Sequence, residues 1–104
     1  MYLSLFKTKY SLSLAEKVRE KLRNFRDPVT GLSIVESQAM LSVKELDEGI
    51  IQIEFTPSSP YNPMAFSYAM ALKAISLKVE GVKKVAVICK NHVMADRINE
   101  EVNR

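Results

Sequence analysis

The chain has 104 residues, 47% hydrophobic and 26% charged, with a net charge of +3. This is one globular domain's worth of ordinary composition, which excludes a disordered protein and leaves little room for a deep cleft around a large substrate. The apolar start, Met1-Tyr2-Leu3-Ser4-Leu5-Phe6, meets Lys7 and Lys9 at once. It is too short for a secretory core or a membrane span, and the single Cys89 allows no intrachain disulfide, so the cytoplasm is the expected location.

Charge is unevenly spread. Lys7, Lys9, Lys17, Arg19, Lys21, Arg23 and Arg26 are opposed in the first quarter only by Glu16 and Glu20, so the rest of the chain is net acidic. A basic first quarter can attract nucleic acid or an acidic partner; the simpler reading is a solvated helix face.

Residues 1–12 are read as an N-terminal extension. Ser13-Leu14-Ala15-Glu16 is a capping-box pattern, and Leu14, Val18, Leu22 and Phe25 follow at helical spacing, which predicts a helix over 14–25 ended by Asp27-Pro28. Gly31 permits a turn. From Ala39 the period changes to two. Leu41 and Val43 oppose Ser42 and Lys44, and Ile51, Ile53 and Phe55 alternate with Gln52, Glu54 and Thr56, with Asp47-Glu48-Gly49 between the runs. This predicts a hairpin with one buried face.

Three prolines, Pro57, Pro60 and Pro63, make the next stretch a rigid connection. Asn62-Pro63 predicts the N-cap and first residue of a long helix running through Met64–Lys78 to near Gly81. One stripe of it is Ala65, Tyr68, Ala69, Leu72, Ile75 and Val79; a second is Phe66, Met70 and Leu77. A third strand over 83–89 places Val85, Val87 and Cys89 on one face. A last helix beginning at Asn91 or His92, within 91–104, aligns Met94, Ile98 and Val102. The order α-β-β-α-β-α predicts an α/β (α+β) two-layer sandwich in a single domain, 1–104, with a small mixed sheet carrying its helices on one face.

The ordered punctuation resembles a known family. An amphipathic helix leads into Asp27-Pro28-Val29-Thr30-Gly31-Leu32-Ser33-Ile34-Val35, a hairpin ends in Phe55-Thr56-Pro57, and a proline-flanked loop opens a helix at Pro63-Met64-Ala65. Gly81-Val82-Lys83-Lys84-Val85-Ala86-Val87 then leads into the last strand. Over about 14–90 this is similar to the metal–sulfur cluster biosynthesis family, domain of unknown function fifty-nine, which includes SufT and PaaD proteins. The chain departs from the family pattern after Asp27-Pro28: Val29 stands where an acid is usual, Glu36 where an Asp is, and Ser37-Gln38-Ala39-Met40 where Leu-Gly-Leu-Val is. The family also commonly has a reactive cysteine before the proline opening the long helix, where this chain has Asn62.

The resemblance implies a pocket at Asp27, Thr56 and Asn62, beside which Tyr61 is an exposed aromatic candidate for partner contact. Asn62 can cap a helix but cannot supply a thiolate; its alternative role is in a neutral anion or partner pocket with Thr56 and free helix amides. Cys89 with His92 three residues on is half a typical metal site, and Cys89 shares its strand face with buried valines. His92 reads more simply as a surface residue at a helix start. Asp27 reads most simply as a turn residue, and no catalytic set accompanies it.

The expected function is an accessory factor in iron–sulfur cluster assembly or metalloenzyme maturation. It would not be an enzyme and would act through contacts with assembly partners or a client metalloenzyme. It would hold no cofactor stably, and a cluster only through a partner or an oligomer. The alternatives are a nucleic-acid-associated protein using the basic first helix, and a metal or cluster carrier using Cys89 in an oligomer. The stripe Phe66, Met70 and Leu77 predicts a homo-oligomer, a dimer by preference, with Tyr2, Leu3, Leu5 and Phe6 as the competing cover.

Overall fold

The structure is a computed structural model and describes residues 12–27 and 30–104. The sequence expectations for Met1–Ser11, Pro28 and Val29 lie outside the described residues. The elements are α1 (Leu14–Arg23), β1 (Gln38–Asp47), β2 (Ile50–Pro57), α2 (Ala65–Leu77), β3 (Lys84–Cys89) and α3 (Ala95–Val102), in the predicted order.

Helix α1 starts with the predicted capping box. The Glu16 N–H donates to Ser13 Oγ at 3.1 Å, and the Ser13 N–H donates to the Glu16 carboxylate at 3.3 Å. The helix ends at Arg23, two residues short of expectation, and Phe25 is exposed rather than part of its buried face. Downstream pairing wins over the helix. The Ile34 N–H donates to Phe25 O at 2.9 Å and the Asp27 N–H to Leu32 O at 2.8 Å, around an isolated bridge between Arg26 and Ser33. The chain must leave the helix early to turn back, and Gly31 at φ 76° completes that return.

The sheet order is β1-β2-β3, with β1 antiparallel and β3 parallel to β2. Gly49 closes the hairpin at φ 78°, and a Cβ there would sit 2.9 Å from the Lys83 side chain. Ile51, Ile53 and Phe55 of β2 face one way with Val43, Val85, Val87 and Cys89. The three helices of the described residues pack on that face, contributing Val18 and Leu22, Ala65, Ala69 and Leu72, and Ile98 and Val102 to one core. Each large aliphatic or aromatic side chain buried there stabilises by about 1.5–3 kcal/mol. The opposite sheet face is open, with Ser42 and Lys44 exposed and Gln52, Glu54 and Thr56 half-buried.

Helix α2 begins at Ala65, three residues after Asn62, so Asn62 is not its N-cap. Asn62 instead shapes the turn before it. Its Oδ1 accepts from the Met64 N–H at 2.9 Å, while its own carbonyl meets Ala65 N at 3.3 Å and the His92 ring at 2.8 Å. Helix α3 likewise starts at Ala95, later than Asn91 or His92, because Asn91 takes a left-handed φ of 58° and a turn intervenes. Met94, expected in line with Ile98 and Val102, is therefore at the helix boundary and exposed.

The outer edge of β3 is covered by two asparagines one helical turn apart on α3. Asn99 Oδ1 accepts from the Cys89 N–H at 2.7 Å, and its Nδ2 donates to Cys89 O at 3.2 Å. Asn103, which caps α3, makes the same pair with Val87 at 2.8 Å each way. The two side-chain amides stand in for a fourth strand.

Candidate functional site

A groove of about 520 Å³ opens where the loop before α2 meets the loop before α3. Tyr61 stands at its rim, 74% exposed, and Phe66, Val93 and Met94 supply further exposed apolar surface. Ala65 and Ile98 form buried floor positions. Local geometry fixes the junction. His92 Nδ1 accepts from the Met94 N–H at 3.0 Å, which leaves the Nε2–H tautomer to donate to Asn62 O at 2.8 Å. The Val93 N–H donates to Pro60 O at 2.9 Å, so the two loops are tied at two points.

The polar component lies on α3. Glu101 pairs with Arg104 at 3.4 Å, whereas the exposed Arg97 has no ion pair among the described residues. An apolar wall beside an unpaired guanidinium suits a ligand carrying an apolar side chain next to a carboxylate.

Of the expected pocket residues, Tyr61 and Asn62 line this groove, and His92 joins them. Asp27 is elsewhere. Tyr68 Oη donates to its Oδ2 at 3.4 Å, and Tyr68 lies two positions from Phe66 on α2, on a different flank. Asp27 also accepts from the Thr30 N–H at 3.3 Å, so the turn role read from the sequence is present. Thr56 sits on β2 opposite Met40, on the strand face that alternates away from Phe55; its Oγ1 is buried with no hydrogen-bond partner among the described residues.

Cys89 faces the core at 2% exposure, and burial pushes its thiol pKa up. Both ring nitrogens of His92 are engaged in the loop junction, so the Cys89–His92 pair has no geometry of a ligand set. Among the described residues no three His, Cys, Asp or Glu side chains cluster as a metal site, and no helix is long and apolar enough to cross a membrane. Val93, Arg97 and Glu101 were not singled out in the sequence; their signal is the i, i+4 spacing of Val93, Arg97 and Glu101, which reads as solvated surface until α2 is placed beside it.

The fold and its site thus define a small α+β chain with a shallow, partly apolar groove and a core-facing thiol. The chain belongs to the iron–sulfur cluster assembly protein family, whose model matches residues 15–87. It is similar to an uncharacterized protein of Methanocaldococcus jannaschii, 36% identical over 85 residues that cover 82% of this chain and 90% of that protein.

Proposed function

We propose that the chain is an accessory factor of cytoplasmic iron–sulfur cluster assembly or metalloenzyme maturation, and that it acts by contact with a protein partner through the α2–α3 groove. One observation carries the reading: in a member of this family, the single cysteine is buried in the core while an apolar surface stands exposed around Asn62, where the family resemblance would place a thiol. The partner contributes the thiolates, and this chain holds or orients it. The ligand on the partner is an apolar side chain beside an acidic group, received by Phe66, Met94 and Arg97. The cluster is cargo, not a resident cofactor.

The test is cluster transfer from a loaded scaffold protein to an apo-ferredoxin, followed by absorption and circular dichroism. The full chain should change the transfer rate. Phe66→Asp and Arg97→Glu should each abolish that effect, and Cys89→Ala should keep it. An effect lost in Cys89→Ala and kept in Phe66→Asp would transfer the role to the thiol and end this reading.

A further inference from the structure

Strand β1 is an uncovered sheet edge among the described residues, and β2 fixes which of its backbone groups face outward. The Lys84 N–H donates to Gly49 O at 3.2 Å and the Lys90 N–H to Phe55 O at 2.9 Å, so the odd-numbered residues of β2 turn their backbone groups to β3. The even-numbered ones, Gln52, Glu54 and Thr56, turn theirs to Lys44, Ser42 and Met40. Leu41, Val43 and Glu45 therefore point their N–H and C=O groups away from the sheet, where no described residue meets them. Register shifts bound this regular stretch at both ends, between Gln38 and Met40 and between Glu45 and Asp47.

Such an edge accepts another extended strand, and β1 itself fits it. Two copies related by a two-fold axis normal to the sheet run antiparallel, and outward-facing residues must then oppose outward-facing residues. Only registers that set odd against odd positions satisfy this. Centring the axis on Lys44 brings two ammoniums face to face. Centring it on Val43 sets Leu41 against the Glu45 carboxylate, twice. Centring it on Leu41 draws on the irregular stretch at Ala39. An axis at Ser42 meets none of these obstacles. Leu41 then lies opposite Val43 of the second copy, on the face that carries the core, and the two exchange both backbone bonds. On the open face Ser42 meets Ser42 of the second copy, and Met40 meets Lys44 of the second copy. Leu41 is half-buried in the single chain, and this pairing completes its cover.

We propose that β1 pairs with β1 of a second copy of this chain about a two-fold axis at Ser42, joining the two sheets into one. Helix α1 packs on β1, whereas α2 and α3 pack on β3. The two α2–α3 grooves therefore lie at the far ends of the joined sheet, and both stay open. The pairing is independent of what the groove binds.

The experiment introduces one cysteine at a time into the full chain, oxidises it with a glutathione couple and reads the products on a non-reducing gel. Wild type, whose single thiol is buried, is the blank. Across the axis Ser42 forms a non-hydrogen-bonded pair, with Cα atoms about 4.5 Å apart, which a disulfide spans. Ser42→Cys, at an exposed position, should trap as a covalent dimer at least fivefold faster than Met40→Cys or Lys44→Cys alone. In those two variants the paired thiols stand about 14 Å apart along the strand. An equal mixture of Met40→Cys and Lys44→Cys, one of them carrying a mass tag, should trap as the heterodimer. Equal rates at all three positions, a maximum at Lys44→Cys, or no dimer at all would overturn the proposal. Disulfide trapping reads the edge and cluster transfer reads the groove, so either idea can fail alone.

Discussion

Cys89 is where one atom's placement decides most. Its burial raises the thiol pKa, so native protein should react with iodoacetamide at least tenfold more slowly than the denatured chain at pH 8, and mass spectrometry over time measures this. A raised folded pKa means that the unfolded thiol ionises first. Stability is therefore unaffected at low pH and falls as pH rises past the ordinary thiol value. Cys89→Ser should cost about 1–3 kcal/mol in urea titration, because the hydroxyl is buried among apolar neighbours. Glu54 behaves in the opposite sense. The hydrogen bond from Lys90 at 2.9 Å, with Gln52 assisting, holds its carboxyl below the usual glutamate range. Its contribution is present above the unfolded pKa and lost as pH falls through the folded one. The acid limb of a stability–pH curve should flatten in Lys90→Met; an unchanged limb would remove Glu54 from the account. Both side chains were legible as face assignments, since β2 and β3 alternate without interruption. Asn62 was not, because Asn-Pro signals a cap only if the helix begins there, and a carbonyl drawn to His92 thirty residues away delays it.

At the level of elements, local signals sufficed where they had no competitor. The capping box of α1 and the turn at Gly49 form as read, because each closes within a few residues. The end of α1 was misjudged because the contacts that end it come from residues 32–34. The asparagine seal on β3 was invisible for a related reason: two asparagines at i, i+4 look like a solvated face, and only the position of α3 turns them toward a strand. Asn103→Ala should leave the Val87 N–H and C=O unpaired and cost about 1–3 kcal/mol. Hydrogen exchange should quicken at the Val87 amide and leave Ile53 on β2 unaffected. Asn103→Asp keeps the acceptor but sets a carboxylate against Val87 O, so it should be no milder than alanine. Equal protection at Val87 in wild type and variant would show that the bonds contribute nothing.

For the whole molecule, the element order and one-sided layering followed from period changes along the sequence, whereas the groove did not, because its two walls are loops thirty residues apart that touch only after folding. The same layering bears on nucleic acid. Among the described residues, the basic side chains of α1 belong to the helix layer and lie across the sheet from its open face. Duplex DNA and RNA at physiological salt should bind only weakly and without sequence preference in fluorescence titration; tight, sequence-selective binding would reverse that ranking.

The seal on β3 also sets a valence. Among the described residues β1 has no strand on its outer side, while β3 is blocked by side-chain amides, so as a strand-pairing unit the molecule is monofunctional. A monofunctional unit terminates: two β1 edges can join about a two-fold axis, and the product presents only blocked ends. Replacing both Asn99 and Asn103 makes it bifunctional, and the relation changes from termination to chain growth. The doubly substituted protein should then elongate into thioflavin-positive fibrils at concentrations where wild type stops at a pair or stays single.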